Sequence, residues 1–585
     1  MKLTKANKKF IRENKGFMSP DQFSLKLGVP KEAVVHYLGK SPDQIGTLSK
    51  IEEITSDFRP TSLLAILTFI KGRRAHVLLL LILCFFVYFN SLNGEMVSDD
   101  ITGFKENPEI RSIPHVLANL GFWGIQQLIQ SIAYNLFGTN QIPLHAISLL
   151  AHMTATVLVF IFVSILLNSK LGFVSSLLFA VFPVNSEAVA WISGLNYILT
   201  ALGLIITSIL FLIYKNNNKP AYLWLTGISF FLTYAVVKNP FSLTIPPIIL
   251  ILAVFFRKQT NLKKLILEML PIAVVSTLIL ILMLGRIQGR LTFMEELDKE
   301  TPSKGPSYLM GLPYITSTYI ELYLMPLNLS LLHEETFISL SGYIYMIVIS
   351  IVFLITFIIL IIKKKRIEAG LLLIILSSLL PSFSPVRVAW FVAERYMYVG
   401  SMALMTLYAY LLSKLDTKTK NKDIGNFIIV LLVCLFSIRT AIRNYDWSTQ
   451  KRLWVATERT NPNSPKVHIN LGDIYMRGGD LDKALTEFNK ALVLRPNYSD
   501  AAHNIGTVYL AKKDYDNAQK YFALSLKFDP NMYLSHYKNG VIEYRKGNLD
   551  NARKEMYQVL EKDPSFEPAK NILISIEKEQ KNQSP

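Results

Sequence analysis

The stretch PLHAISLLAHMTATVLVFIFVSILL, residues 143–167, determines the class of fold. Its 25 residues include no Lys, Arg, Asp or Glu, and about 20 apolar residues in a helix cross the hydrocarbon core of a bilayer. Similar runs recur between His76 and Ala441, so the sequence predicts an all-α, polytopic membrane bundle of about eleven spans. The predicted spans lie near residues 76–92, 143–167, 171–190, 196–214, 220–237, 241–256, 264–285, 342–362, 368–384, 396–413 and 425–441.

The composition of the whole chain agrees with a membrane protein. Of its 585 residues, 51% are hydrophobic and 18% are charged, and the mean hydropathy is +0.33. These values exclude a single soluble domain of this length. The two cysteines, Cys84 and Cys434, both lie in apolar runs, which argues against a disulfide framework and against a thiolate metal site.

The placement of basic residues predicts the topology, because Lys and Arg are enriched in cytoplasmic loops. Lys215, Lys219 and the basic loops 257–264 and 363–366 fall on one side if 308–326 does not cross the membrane. We therefore predict a multi-pass protein of a bacterial-type cytoplasmic (inner) membrane, in contact with membrane lipids and with a cytoplasmic N-terminus. The regions predicted outside are 93–142, 186–195, 286–341, 385–395 and the C-terminal repeats.

Three segments divide the chain and its net charge of +18. We predict a small cytoplasmic helical region at 1–70, a transmembrane domain at 71–443 and an extracytoplasmic repeat domain at 444–585. Within the first, Ser19–Gly39 resembles a helix-turn-helix but lacks a basic recognition face. Residues 444–585 carry only +3. Much of the surplus thus reflects membrane topology, and no nucleic-acid partner is predicted.

The C-terminal segment contains a repeat of 34 residues. The recurring positions are Pro462, Pro496, Pro530 and Pro564, with Gly472, Gly506 and Gly540, and with Ala484, Ala518 and Ala552. Small residues where two helices approach and a proline after the second helix are typical of tetratricopeptide repeats. The spacing predicts three repeats plus a terminal helix, an α-solenoid whose concave surface could capture a protein.

The strongest candidate for a catalytic or cation-binding site is Ser98-Asp99-Asp100 in the first predicted outer loop. Adjacent carboxylates near a membrane face can share a raised proton affinity, so that one acts as a general base, or can hold a divalent cation. An acidic pair alone is also compatible with a solvated turn.

Further ionisable residues lie at the same predicted face. Glu187 and Glu394 are candidate supporting carboxylates, and Arg387 suits a phosphate or an ion pair with Glu394. His145 and His152 share one face of a predicted span, where polar contacts between helices are favoured over a metal site.

An ordered set of motifs points to a family. The motifs are Asp99-Asp100, ENPEI (106–110), FPVNSEAVAWISG (182–194), YLMPLNLSLLHEE (323–335), ERYMYVG (394–400), RNYDW (443–447) and the repeats. Together they resemble the transmembrane and tetratricopeptide-repeat proteins of the GT-C glycosyltransferase superfamily, relatives of protein O-mannosyltransferases, over residues 76–585.

This resemblance implies a GT-C-like bundle and a donor sugar carried on a polyprenyl phosphate. By position it assigns Asp99 and Asp100 to acceptor activation, Glu187 to support and Arg395 to the lipid phosphate. The predicted function is a membrane glycosyltransferase that moves a sugar to a protein hydroxyl on the outer face, while the repeats capture the acceptor protein.

Three positions depart from the family pattern. Phe182 stands where His is usual, Leu195 where a basic residue is usual, and Asn239 lies in a segment where a Lys-Glu pair is common. Loss of these polar groups favours the alternative of an inactive membrane scaffold that recruits envelope proteins through its repeats. A third possibility is a carrier or polymer ligase of polyprenyl-linked sugars.

Overall fold

The computed structural model describes residues 20–37, 56–119, 124–259, 261–300, 308–333, 339–384, 390–419 and 422–583, and positions 4, 7, 10 and 11. The chain divides into two compact units, Met1–Asp57 and Phe58–Pro585. All regular elements of the described residues are helices, which confirms the predicted all-α class. The segment limits at residues 70 and 443 stay predictions.

The first unit contains the predicted pair of short helices. Pro20–Leu27 and Lys31–Tyr37 are joined at Gly28, whose φ of +60° favours a residue without a side chain. Phe23 and Val34 are buried in the small core between them.

Seven helices of the second unit are long and apolar enough to cross a membrane, counting described residues only. They are Arg74–Ser91, Ile142–Leu166, Ile192–Asn217, Pro220–Val237, Leu262–Gly285, Leu340–Ile362 and Ile424–Asp446. The pair Ser169–Ala180 and Pro183–Ala190, bent by 54°, makes an eighth if it is one span.

The other predicted spans correspond to helices outside this set. These helices are Pro240–Thr244 with Ile245–Ile251 and Leu252–Phe256, then Arg366–Ser378 and Tyr398–Thr419. The ambiguous stretch 308–326 forms a helix, Tyr308–Leu324, of 17 residues. Several membrane helices are therefore present, while the number eleven and the sidedness of the loops stay predictions.

The core of the bundle lies around the helices Ile142–Leu166 and Ile192–Asn217, whose side chains are mostly buried. Small residues allow close helix packing there, since a Cβ on Gly172 would lie 2.8 Å from the carbonyl oxygen of Phe160. By contrast, Leu340–Ile362 has no buried residue and presents an apolar surface suited to lipid.

The predicted three repeats and terminal helix are present. Their helices are Pro465–Arg477, Leu481–Leu494, Ser499–Ala511, Tyr515–Phe528, Tyr533–Arg545, Leu549–Lys562 and Glu567–Gln583. The repeated glycines explain the period, because a Cβ at Gly472 would lie only 2.4 Å from the ring of Phe488. Gly506 and Phe522 repeat this contact 34 residues later.

The first repeat packs directly on one end of the bundle. Trp191 and Leu332 of the bundle share a buried apolar cluster with Trp447, Trp454 and Leu471. We call this the repeat-side end; it comprises residues 93–119, 183–195, 325–333, 390–397 and 443–450. The regions predicted to carry the chemistry thus lie next to the start of the repeats.

Candidate functional site

Asp100 is fully buried in the turn that follows the first predicted span. One carboxylate oxygen accepts hydrogen bonds from the backbone N–H of Ser193 at 2.9 Å and from its hydroxyl at 2.5 Å. The other oxygen accepts a longer bond of 3.4 Å from the N–H of Val97. Burial raises the pKa of Asp100 to about 7, although these hydrogen bonds oppose the shift.

Asp99 differs from its neighbour because it is exposed. It follows Ser98, whose φ of +54° lies in the left-handed region that residues with side chains rarely adopt. The N–H of Ser98 donates to the side-chain oxygen of Gln450 at 2.9 Å, so the segment leading into the repeats holds this turn. Backbone strain of this kind is common where a functional side chain must be presented.

His145 contacts the turn that precedes Ser98. Its buried Nε2 lies 3.1 Å from the carbonyl oxygen of Gly94. His152 has other partners, with Nδ1 at 2.7 Å from the hydroxyl of Tyr398 and Nε2 at 3.2 Å from the carbonyl oxygen of Ala180. His152 therefore joins helices, whereas His145 joins its helix to the turn at Gly94.

Glu187 and Arg395 form a fully enclosed ion pair. Glu187 accepts a hydrogen bond from the backbone N–H of Arg395 at 2.8 Å and a second from its guanidinium. The Arg395 guanidinium also lies over the rings of Trp191 and Tyr396, at 5.3 Å and 5.0 Å from their centres. The charge of Arg395 is thus balanced within the protein.

Glu394 belongs to a second buried ion pair. Its carboxylate accepts from Nη2 of Arg443 at 3.1 Å and from the N–H of Ser330 at 2.5 Å, and lies 3.4 Å from Nε2 of His333. Burial alone would raise the pKa of Glu394, but the Arg443 guanidinium more than offsets it, so the pKa is lowered.

Arg443 was missed as a site residue, although it begins the quoted motif RNYDW. A cation in an otherwise apolar stretch was the available signal. Arg387, predicted to bind phosphate or to pair with Glu394, lies outside the described residues. The partner that the structure gives to Glu394 is Arg443.

The loop between Leu327 and His333 links these groups to the repeats. Asn461, just before the first repeat, donates to the hydroxyl of Ser330 at 2.9 Å and to the carbonyl oxygen of Leu332 at 2.7 Å. Because Ser330 also donates its N–H to Glu394, one short loop connects the repeat domain with a buried ion pair.

The three departures from the family pattern fit their surroundings. Phe182 is fully buried against the ring of Phe436, with centres 5.4 Å apart, and Leu195 is buried as well. The side chain of Asn239 accepts from the N–H of Phe241 at 3.0 Å and so begins the short helix that follows.

Among the described residues, one group offers three side chains with suitable spacing for a metal ion: Glu458, His468 and Glu487, whose ligand atoms lie within 4.8 Å. The sequence did not predict this group. His468 faces Glu487 at 2.7 Å and the carbonyl oxygen of Pro462 at 2.8 Å, and Lys490 reaches Glu487 at 2.8 Å. Lys490 also lies 3.7 Å from Glu458, so its ammonium group already supplies positive charge to both carboxylates. The proposed use of Asp99 and Asp100 as cation ligands stays a prediction.

Comparison with protein families supports the repeats. A family described as "TPR repeat" matches residues 472–513, and one described as "Tetratricopeptide repeat" matches residues 499–532. A solved structure, the crystal structure of MamA, aligns with 26% of this chain and 85% of its own, at 18% identity and a TM-score of 0.19.

Curated relatives extend over the bundle as well. Protein O-mannosyl-transferase F38B6.6 of Caenorhabditis elegans is 24% identical over 73% of this chain and 64% of its own length. Human protein O-mannosyl-transferases TMTC3 and TMTC1 are each 24% identical, over 70% and 71% of this chain and 50% and 54% of their own lengths. The chain therefore spans between half and two thirds of the relatives it matches. Over about seven tenths of its length it is homologous to protein O-mannosyl-transferases, and it carries tetratricopeptide repeats in its C-terminal region.

Proposed function

We propose that this chain is a membrane O-glycosyltransferase that moves a sugar from a polyprenyl-phosphate-linked donor to a hydroxyl group of a protein. The observation that carries the proposal is the similarity to protein O-mannosyl-transferases over about seven tenths of the chain. The strained turn that presents Asp99 beside buried Asp100 gives this class of reaction a candidate base.

Asp99 is the better placed of the two carboxylates to act as the general base. It is exposed, whereas both oxygens of Asp100 are occupied by Ser193 and Val97. Asp99 takes the proton of the acceptor hydroxyl while that oxygen forms a bond to C1 of the sugar. The bond between C1 and the phosphate oxygen breaks, and its electron pair leaves with the lipid phosphate. Asp100 acts as a positioning residue for the turn.

The repeats have a defined part in this scheme. Packed against the repeat-side end, they would hold an acceptor protein near Asp99 and raise its effective concentration there. We propose that this end faces the outside of the cell membrane, where the lipid-linked donor would be used.

The sidedness can be measured by cysteine labelling. Asp500 is exposed on the second repeat, and replacing exposed Cys434 by Ser removes the competing thiol. In intact cells, Asp500→Cys is expected to react with a membrane-impermeant maleimide. Labelling only after permeabilisation would place the repeats inside and would contradict the proposed acceptor capture.

Substitution of Asp99 tests the chemistry. Because a positioned base contributes about 100-fold or more to a rate, Asp99→Asn is expected to lower sugar transfer by at least this factor with the fold unchanged. Asp516→Asn is the matched control, since Asp516 is an exposed repeat carboxylate at an ion pair with Lys546. Full transfer by the Asp99 variant would refute the assigned base.

An inactive scaffold remains the second candidate, and the apolar packing of Phe182 and Leu195 favours it. A scaffold binds partners through its repeats but consumes no donor. The two candidates are separated by incubating the purified full chain with a polyprenyl-phosphate sugar and an acceptor protein: donor consumption that depends on Asp99 supports the enzyme, and partner binding without consumption supports the scaffold. Transport or polymerisation of the lipid-linked sugar that does not depend on Asp99 would instead favour a carrier or a polymer ligase.

A further inference from the structure

Arg439 occupies an unusual place on the last predicted span, Ile424–Asp446. It lies seven residues before the end of the helix Lys422–Asp446 and two residues before the end of the span 425–441 predicted from the sequence, which is roughly 3 Å at the rise of an α-helix. Charged side chains within a membrane span are costly and rare, and they commonly mark a binding or transport site. The contacts of the Arg439 guanidinium indicate what it can bind at this position.

The helix around Arg439 has an inner and an outer face. Thr440 and Asn444 are buried, and they donate hydrogen bonds to the carbonyl oxygens of Val181 at 2.7 Å and Val87 at 3.0 Å. Ile438 and Ile442 point outward and are more than half exposed. Arg439 is half-buried at the border between these faces.

The outward surface beside Arg439 is apolar. Its guanidinium donates to the carbonyl oxygen of Leu327 at 2.9 Å. Leu324, Met325 and Leu327 are each about 60% exposed, as is Ile438 on the helix itself. A ligand that reaches this guanidinium from the bilayer would thus carry a hydrocarbon chain.

The local charge leaves one positive group without a counter-ion. Glu394 is engaged by Arg443, and Asp446 lies 3.8 Å from Nη1 of the same arginine. Within the part of the chain that the structure describes, Arg439 makes no ion pair, and neither does nearby exposed Arg459. Counting only the residues that the structure describes, three arginines therefore share two carboxylates, which leaves a net charge of about +1 for an anion.

Arg395, the phosphate residue implied by the family resemblance, differs in this respect. Its guanidinium is paired with Glu187 and enclosed by Trp191 and Tyr396. Arg439 instead combines an unpaired charge with access from the lipid. We infer that Arg439 binds the phosphate of a lipid phosphate whose hydrocarbon chain lies along Leu324, Met325 and Ile438.

The position of this site suggests that the lipid is the sugar donor, a phosphodiester, and that the same site holds the lipid phosphate monoester that remains after transfer. The loop that accepts the hydrogen bond of Arg439 at Leu327 continues to Ser330, which donates to Glu394, so the phosphate would lie on the same loop as the candidate site. The identification of the lipid as donor rests on the proposed function. An ordinary anionic phospholipid offers similar phosphate chemistry, and the experiment has an arm for it.

The test measures binding without turnover. The purified full chain is placed in phosphatidylcholine nanodiscs, and retention of a polyprenyl monophosphate is followed by mass spectrometry. Loss of one charge-assisted hydrogen bond weakens binding by about tenfold or more, so Arg439→Gln is expected to show this loss. Gln can still donate to Leu327. Arg439→Lys keeps the charge and is expected to retain intermediate affinity.

The matched control is Arg477→Gln, at an exposed arginine paired with Asp473 at 2.9 Å in the first repeat, and wild-type retention is expected. Unchanged retention in a folded Arg439→Gln protein would overturn the inference. So would equal retention of a polyprenol that lacks the phosphate. Displacement by phosphatidylglycerol at equal concentration would overturn the assignment of the lipid to the donor.

Failure of this inference and failure of the proposed function give different results. If sugar transfer depends on Asp99 but lipid retention does not depend on Arg439, the enzyme assignment is supported and the phosphate binds elsewhere. If retention depends on Arg439 but no sugar is transferred, the lipid site stands and the enzyme assignment fails. In an active protein, Arg439→Gln is expected to raise the donor KM, whereas Asp99→Asn lowers kcat.

Discussion

The repeat domain and the repeat-side end of the bundle are built on opposite principles. In the repeats, one contact recurs, as when Gly472 meets Phe488 and Gly506 meets Phe522. At the repeat-side end, each contact occurs once and joins distant parts of the chain: Asp100 with Ser193, 93 residues apart, and Glu187 with Arg395, 208 residues apart. Repetition spreads stability over many equivalent contacts, whereas the candidate site depends on a few unique ones.

The ion pairs of the two regions differ in the same way. The pair of Arg443 and Glu394 is fully buried, so each charge depends on the other. The pair of Lys512 and Asp482 in the repeats has a carboxylate that is 90% exposed and can be hydrated when the pair breaks. Burial makes a broken pair costly, and exposure makes it nearly neutral.

The largest effect is therefore expected from breaking the buried pair. Arg443→Met leaves the Glu394 carboxylate enclosed without its cation, which typically costs about 3–5 kcal/mol. We expect the free energy of unfolding to fall by this amount, as measured by denaturant titration in detergent. The loss should depend little on salt, because solvent ions do not reach the pair.

A second substitution checks the cause of that loss. In the double variant Arg443→Met with Glu394→Gln the unpaired charge is gone, so part of the lost stability should return. An equal or larger loss in the double variant would show that packing of the Arg443 side chain, and not its charge, holds this end together.

The next effect concerns Asp100 and pH. Its pKa of about 7 in the folded protein exceeds the ordinary value of 3.8. Between these values the folded state keeps a proton that the unfolded state has lost, so stability falls as pH rises and levels off above pH 7. The total change is at most about 4 kcal/mol at 1.36 kcal/mol per pKa unit. Unfolding of the wild type and of Asp100→Asn from pH 4.5 to 8 measures it.

The Asp100 variant should lack most of this slope, since the amide does not titrate. Parallel curves for the two proteins would mean that Asp100 is hydrated and ionised in the folded state. They would also remove the difference between exposed Asp99 and buried Asp100 on which the assignment of the base depends.

The same contrast explains what could be predicted from the sequence. The repeats could be predicted from the sequence, because glycines and prolines recur every 34 residues, as at Gly472 and Gly506. Most spans were visible because a helix long enough to cross a bilayer needs a long apolar run. These features depend only on residues that are close in sequence.

The candidate site was predicted only in part. Asp99, Asp100 and Glu187 could be chosen as candidates because acidic residues near predicted membrane spans are conspicuous. The partners Ser193 and Arg443 were not, since a hydrogen bond between residues 93 or 49 positions apart leaves no local pattern. The sequence also treats Asp99 and Asp100 alike, whereas the fold buries one and exposes the other. Such a difference depends on tertiary packing.

A smaller effect is expected from the repeated contact. In Gly472→Ala the new methyl would lie 2.4 Å from the ring of buried Phe488. Overpacking of this kind costs about 1–3 kcal/mol, and the better helix propensity of Ala returns up to about 1 kcal/mol. We expect a net loss of stability by denaturant titration.

Gly478→Ala is the control for that substitution, because its methyl would approach no side chain among the nearest atoms, only the carbonyl oxygens of Ile474 at 3.3 Å and Tyr475 at 3.5 Å. If Gly472→Ala destabilises only the repeats and the protein retains the lipid phosphate as the wild type does, the repeats tolerate local damage. Equal losses in both variants would show that loss of glycine itself, and not the contact with Phe488, sets the cost.

The smallest effect is expected from the exposed pair in the repeats. Asp482→Asn removes the partner of Lys512, at 2.5 Å, but the carboxylate is largely hydrated already. Exposed pairs contribute about 0–1 kcal/mol, and salt screens them, so the change in stability should be below about 1 kcal/mol and should shrink further when the titration is repeated in high salt. A loss as large as that of Arg443→Met would contradict the contrast between the two regions, because it would give an exposed repeat contact the energetic weight that only burial supplies to the ion pairs beside the candidate site.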